Sequence, residues 1–253
     1  MHTLQAIILG IVEGITEFLP ISSTGHMILA SKLLAIQETD FVKSFEIIIQ
    51  LGAILAVVCY RGLKFRSWEL CKRIIVAFIP TGIIGLALYS VVKHYLLGST
   101  SVVIWSLLLG GIALIAFEKW HKEKEAHVDD MEKITYKQAF IIGLFQSLAI
   151  IPGVSRSAAT IVGGMLTGIK RVAIIEFSFL LAIPTMAAAT GLDLIKNRDL
   201  ISSADTGILV IGFLAAFVSA LLAIKWLLAF VKKHTFVPFG VYRIVVALAF
   251  LVL

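Results

Sequence analysis

The sequence predicts an all-α polytopic membrane protein, with six transmembrane helices and two re-entrant helical hairpins in an inverted-topology repeat. Three observations lead there. Of 253 residues, 59% are apolar or aromatic and only 15% are charged, against about a quarter charged in a soluble domain, and the mean hydropathy is +1.00. Six apolar stretches approach the roughly 20 residues that a spanning helix needs. Two further apolar regions are each cut in the middle by a polar break. With 19 Gly, 5 Pro and 2 Cys, the composition excludes a disordered chain, a collagen-like repeat and a disulfide scaffold.

The first region runs from Leu4 and carries Glu13 and Glu17. It breaks at Pro20-Ile21-Ser22-Ser23-Thr24-Gly25-His26 and resumes over residues 27–36. Nothing basic precedes it and no small-residue cleavage site follows, so it is expected to stay in the mature protein rather than act as a signal peptide. Three spans are expected next, over residues 41–59, 74–92 and 102–117, and then a polar connector over 118–137. The second broken region covers 139–151, is cut by Pro152-Gly153-Val154-Ser155-Arg156-Ser157, and resumes over 158–169. Spans over 172–194, 208–231 and 239–253 complete the chain. Half-helices with irregular backbone at membrane depth are tolerated only where protein or a water-filled cavity satisfies the freed backbone groups. Each broken region therefore reads as a hairpin that enters and leaves on one side.

The two broken regions resemble each other. Ile8-Leu9-Gly10-Ile11-Val12-Glu13 aligns with Ile141-Ile142-Gly143-Leu144-Phe145-Gln146, and Ser22-Ser23-Thr24 with Ser155-Arg156-Ser157, at an offset of about 133. Phe45-Glu46-Ile47 and Phe177-Ser178-Phe179 keep a similar offset. The chain reads as a single membrane domain over 1–253, made of halves 1–117 and 138–253 joined by a solvated connector, 118–137. Three spans separate the hairpins, so they enter from opposite faces and the repeat is inverted, an architecture common among transporters.

The net charge of +6 and the pI of about 9.3 would raise the question of nucleic acid in a soluble protein. Here the basic residues concentrate in loops on one side, from Arg61 to Arg73, Lys119 to Lys137, Lys170-Arg171 and Lys232-Lys233. They are a topology signal, with the rich side cytoplasmic and both termini outside. No nucleic-acid partner is expected; the bilayer is the partner. Cys59 and Cys71 have no metal-ligand spacing.

A few polar residues do not belong to loops. Glu13 and Glu17, at i and i+4, share one face of a half-helix, where two carboxylates repel unless paired or bound to a cation. They are candidate ligands of a divalent ion. Ser155, Arg156 and Ser157 open a half-helix, with Thr160 one turn on. Unpaired N–H groups at that N-terminus, the Arg156 fork and the hydroxyls together make an anion site suited to phosphate. Ser22, Ser23 and Thr24 are candidate caps or phosphate donors. His26, three residues after Ser23, would share its face and could serve as base beside a nucleophile. Glu46 and Gln50 are expected behind the site or at a tail entrance. Lys225 and Arg243 are expected to snorkel from helix ends.

Glu13 to His26 and Pro152 to Thr160, read as continuous motifs, resemble the undecaprenyl-diphosphate phosphatase family, also called bacitracin-resistance proteins. Residues 45–53, 177–184 and Tyr242-Arg243 extend the resemblance over essentially the whole chain. It implies a bacterial inner-membrane enzyme that hydrolyses undecaprenyl diphosphate to the monophosphate carrier lipid for peptidoglycan synthesis, with a divalent cation, Mg2+ or Ca2+, and an active site facing outward. It implies catalytic roles for Glu17, Ser23, His26 and Arg156, phosphate contacts from Ser22, Ser155, Arg156, Ser157 and Thr160, and metal ligation by Glu13 and Glu17, or by Glu17 with His26. Whether Ser23, His26 or water attacks stays open, as does a homodimer. A transporter or flippase of prenyl phosphates is the competing class.

Overall fold

The computed structural model describes residues 1–37, 39–61, 67–96, 99–197 and 206–252. Among these residues ten α-helices follow one another: α1 (Thr3–Phe18), α2 (Ser23–Leu33), α3 (Asp40–Arg61), α4 (Trp68–Val91), α5 (Thr100–Trp120), α6 (Tyr136–Gln146), α7 (Arg156–Leu166), α8 (Arg171–Asn197), α9 (Thr206–Val231) and α10 (Val237–Val252). Five of them, α3, α4, α5, α8 and α9, are long and apolar enough to cross a membrane. The protein is thus a polytopic, all-helical membrane protein. α10, expected as a sixth span, has 16 residues, about 24 Å at 1.5 Å per residue, against a hydrocarbon core of about 30 Å.

Both breaks lie where the sequence places them. α1 stops at Phe18 before Pro20, and α6 gives way to a 3-10 turn (Ser147–Ile150) before Pro152-Gly153. The helices beyond start alike. Ser22 and Ser155, the N-caps of α2 and α7, both hold positive φ, 74° and 76°, a conformation uncommon for a non-glycine residue. Ser22 Oγ accepts from the Gly25 N–H at 3.4 Å and Ser155 Oγ from the Ala158 N–H at 3.2 Å. The two caps repeat one local geometry, an N-cap side chain bonded three residues on, at the same offset that the sequence suggests. α6 instead starts on a capping box, in which Thr135 and Gln138 satisfy each other's backbone N–H.

α1 packs on α9, α6 on α4 and α5 on α10, while α3 contacts both α8 and α9. The α1–α9 contact depends on Gly10 and Gly14: a Cβ at Gly14 would overlap Ser219 Oγ and the Ala216 carbonyl. Small residues four apart let membrane helices approach to backbone distance, where dispersion and packing replace the absent hydrophobic force between them. Large apolar side chains such as Ile83, Leu109 and Leu222 point outward and are exposed, as expected of surfaces facing lipid tails.

Two expectations change. The connector is docked as well as polar: Met131 and Ile134 are buried in the main core, and the Arg73 guanidinium donates to the Glu132 carbonyl at 2.7 Å. Arg243 does not snorkel. It is fully buried, because backbone carbonyls surround it and supply the acceptors that water would otherwise provide. Lys225 is exposed.

Candidate active site

The two breaks meet. Ser157 Oγ, in the first turn of α7, donates to the Phe18 carbonyl at 2.8 Å and so satisfies the end of α1 from the other half of the chain. This places the last turn of α1 against the first turn of α7, and Glu17 against Arg156. Arg156 Nη2 lies 2.9 Å from Glu17 Oε1, with both side chains largely buried. The other Glu17 oxygen accepts from Ser23 Oγ at 2.5 Å. One carboxylate therefore joins the N-terminus of α2 to the guanidinium of α7. A charge-assisted hydrogen bond of this kind is short and strong because one partner carries a full charge.

Arg156 is held in turn by α8. Its Nη1 donates to the Ser178 carbonyl at 2.9 Å, and the Phe18 ring lies 5.9 Å from the guanidinium carbon. Its Nε–H is buried and has no partner among the described residues. That leaves a donor free on a guanidinium that already faces a cavity. The cavity, of about 560 Å³, has a polar end lined by Glu17, Ser22, Ser23, Gln50, Ser155 and Arg156. The rest of its lining is mainly apolar, with Phe78, Leu86, Ile150, Ile151, Met186 and Ala189 from α4, the 3-10 turn and its sequel, and α8, interrupted by the hydrogen-bonded Thr81, Gln146 and Thr185. Such a space suits a ligand with an anionic head and a hydrocarbon tail.

The remaining expected residues are placed differently. Thr160 is fully buried and bonded to the Arg156 and Ser157 carbonyls and to Ser178 Oγ, the last at 2.6 Å. It braces the α7–α8 contact and does not line the cavity. Ser23 and His26 are not joined. His26 Nδ1 lies 2.7 Å from the Ser22 carbonyl, which can only accept, so Nδ1 carries the proton. In the neutral ring Nε2 then accepts from the Tyr242 hydroxyl at 2.9 Å, and the two rings stack at 5.5 Å. Glu13, one turn behind Glu17, is fully buried outside the cavity lining. Among the described residues neither of its oxygens receives a hydrogen bond from a donor, and Glu17, Glu46 and Arg156 lie within electrostatic reach. Glu46 accepts from Ser31 Oγ at 3.0 Å, and Gln50 reaches the cavity.

Sequence reasoning missed Ser178, Tyr242 and Gln146 as participants. Ser178 had a signal: it stands at the repeat offset from Glu46, another polar residue inside an apolar span. Gln146 Nε2, which donates to Thr81 Oγ1 at 2.8 Å, stands likewise at that offset from Glu13. Tyr242 had its place in the family resemblance but no signal of this contact, which crosses 216 residues of sequence.

The comparisons with known proteins meet the same residues. A family model described as bacitracin resistance protein BacA matches residues 6–249. The chain is 56% identical over 247 residues to an undecaprenyl-diphosphatase of Aquifex aeolicus, covering 97% of this chain and 96% of that one. It is 53% identical over 250 residues to an undecaprenyl-diphosphatase of Sulfurihydrogenibium sp., covering 99% and 98%. A Bdellovibrio bacteriovorus undecaprenyl-diphosphatase is 49% identical over 258 residues, covering 100% and 96%. The matched span takes in both breaks, the carboxylates before the first and the arginine after the second, and with that the chain belongs to the bacitracin resistance protein BacA family.

Proposed function

We propose that the protein is an undecaprenyl-diphosphatase, releasing inorganic phosphate from undecaprenyl diphosphate and returning the monophosphate carrier lipid. One observation carries the reading: a single carboxylate, Glu17, sits between a hydroxyl and a guanidinium at the polar end of a cavity with an apolar wall. That is a nucleophile with its base in hydrogen-bond contact, beside an anion-binding group, in a space that also accepts hydrocarbon.

In the proposed reaction the diphosphate enters at the polar end, where the Arg156 guanidinium, the α7 N-terminus and the Ser22 and Ser155 hydroxyls receive its oxygens. Glu17 takes the proton of Ser23 Oγ as that oxygen attacks the terminal phosphorus. The bond to the bridging oxygen breaks, and undecaprenyl phosphate leaves. Proton gain weakens the hold of Glu17 on Arg156, and the guanidinium turns toward the charge developing on the phosphoryl oxygens. Glu17 passes that proton to the departing bridging oxygen; the carboxylate then deprotonates a water that attacks the phosphoserine, and the proton returns to Ser23 Oγ as inorganic phosphate leaves. Direct attack by water on the same phosphorus uses the same base. The tail follows the apolar wall between α4 and α8.

A divalent cation, Mg2+ or Ca2+, fits part of this donor set. The buried oxygens of Glu13 lack donors and are hard ligands, and Mg2+ is commonly held by one or two carboxylates together with substrate phosphate. Among the described residues no group of three His, Cys, Asp or Glu could hold an ion unaided. Glu13, with Glu17, would hold it alongside the phosphates, and once bound it would neutralise charge on them.

The inverted repeat is part of the proposal. The paired breaks and their matching serine caps support two hairpins related by a pseudo-two-fold axis, and the loop charges support termini and active site on the outer side. Purified protein in detergent tests the function: it should release phosphate from undecaprenyl diphosphate, and Ser23→Ala or Arg156→Ala should abolish release. Full release by Arg156→Ala would overturn the site, and lipid movement across vesicles without phosphate release would indicate a carrier.

A further inference from the structure

Arg243 is a buried charge that the reaction outlined above does not use. α10 carries it into the gap between α5 and the two breaks. A guanidinium has five N–H donors, and five backbone carbonyls receive them. Nε donates to Leu107 at 3.4 Å, Nη1 to Pro20 at 3.4 Å and Val154 at 3.0 Å, and Nη2 to Ser106 at 2.9 Å and Gly153 at 3.0 Å. One acceptor lies in the first break, two lie in the second and two lie on α5. Pro20 stands three residues before Ser23, and Val154 two before Arg156. Among the described residues Arg243 forms no ion pair.

The neighbours make room for this group. A Cβ at Gly110 would overlap Arg243 Nη2 and Cζ, and one at Gly111 would press on Arg243 Cβ and the Gly240 carbonyl. Gly153, at φ +91°, brings its carbonyl to the guanidinium while its own backbone lies against Val103 and Ser106 of α5. A methionine of similar length could fill the space without burying a charge, but it could not bond Pro20 and Val154 at once. Joining the breaks is what the charge adds.

We propose that Arg243 is a positioning residue that sets the separation of the two breaks, and through it the distance between Ser23 and Arg156, without touching substrate. Only the activity arm of the test rests on the phosphatase reading. In a Cys59→Ser, Cys71→Ser background, nitroxides attached at Thr24→Cys and Ile151→Cys report the separation by pulsed electron resonance. The expected result is one narrow distance distribution in the parent, and a broadened or shifted one with Arg243→Met. Arg243→Lys, which offers donors from a single point, should also broaden it. Leu227→Ala, a core truncation that removes no donor from the breaks, should lower the melting temperature and leave the distribution unchanged.

Without the labels, Arg243→Met should lower kcat by about 100-fold at nearly constant KM, the scale of loss that follows a displacement of about 1 Å. Gly110→Ala keeps the arginine, displaces its guanidinium, and should move both readouts the same way by less; it decides the matter if the Arg243 variants do not fold. An unchanged distance distribution in folded Arg243→Met, or a change matched by Leu227→Ala, overturns the proposal. A parent protein that releases no phosphate would refute the phosphatase reading, and the label distances would still decide this one.

Discussion

At the scale of residues, the site turns on which groups share a proton. Ser23 faces Glu17, whereas His26 is held by the Ser22 carbonyl and the Tyr242 hydroxyl. The two hydroxyl-bearing residues should therefore respond differently to deletion. Ser23→Ala removes the attacking atom in the proposed reaction and should lower kcat by at least about 100-fold. Rapid quenching of a single turnover in the parent should trap a phosphoserine at Ser23, and a competent turnover without one would assign the attack to water. Tyr242→Phe removes one hydrogen bond and keeps the stacked ring. Since such a bond contributes about 0.5–1.5 kcal/mol, kcat should fall no more than about tenfold. A loss as large as that of Ser23→Ala would place His26 in the chemistry itself.

At the scale of elements, the half-helices are anchored by what they pack on. α1 lies against α9 at glycine distance, and Glu13 and Glu17 share the buried side of the helix with Gly10 and Gly14. Gly14→Leu should force α1 off α9, because the new side chain meets the Ala216 carbonyl and Ser219 Oγ. Overpacking a tight contact costs roughly 1–3 kcal/mol, so the melting temperature in detergent should drop and phosphate release should fall with it. Ile11→Leu, on an exposed position of the same helix, should leave both unchanged. The two serine caps show how an element start becomes part of a site. Each presents a strained residue, a free helix N-terminus and a hydroxyl at the place where the chain re-enters helix.

At the scale of the whole molecule, the proposed topology and the proposed ion can be checked without mutating the site. On the Cys59→Ser, Cys71→Ser background, Lys122→Cys on the connector should react with a membrane-impermeant maleimide only after cells are opened. Gln37→Cys, between α2 and α3, should react before. The reverse pattern would invert the orientation inferred from loop charge. A chelator should abolish phosphate release, and added Mg2+ or Ca2+ should restore it; activity indifferent to chelator would remove the ion from the proposal.

The sequence by itself determined which segments are apolar helices, where two of them break, and which few charges lie inside apolar segments. These are local properties: hydropathy over a window of about 20 residues, a proline that ends a helix, a serine that can cap the next. It also determined the family, through two continuous motifs. The tertiary structure decided which of those polar groups meet. Glu17 finds Arg156 across 139 residues, Arg243 finds the Pro20 carbonyl across 223, and His26 finds Tyr242 across 216. Spacing along one helix suggested that Ser23 and His26 act together, but a hydrogen bond is decided by where helices from the other half of the chain place their donors. For the same reason Arg243, which by sequence alone belongs at a helix end, is drawn into the centre by carbonyls that two breaks and α5 bring together.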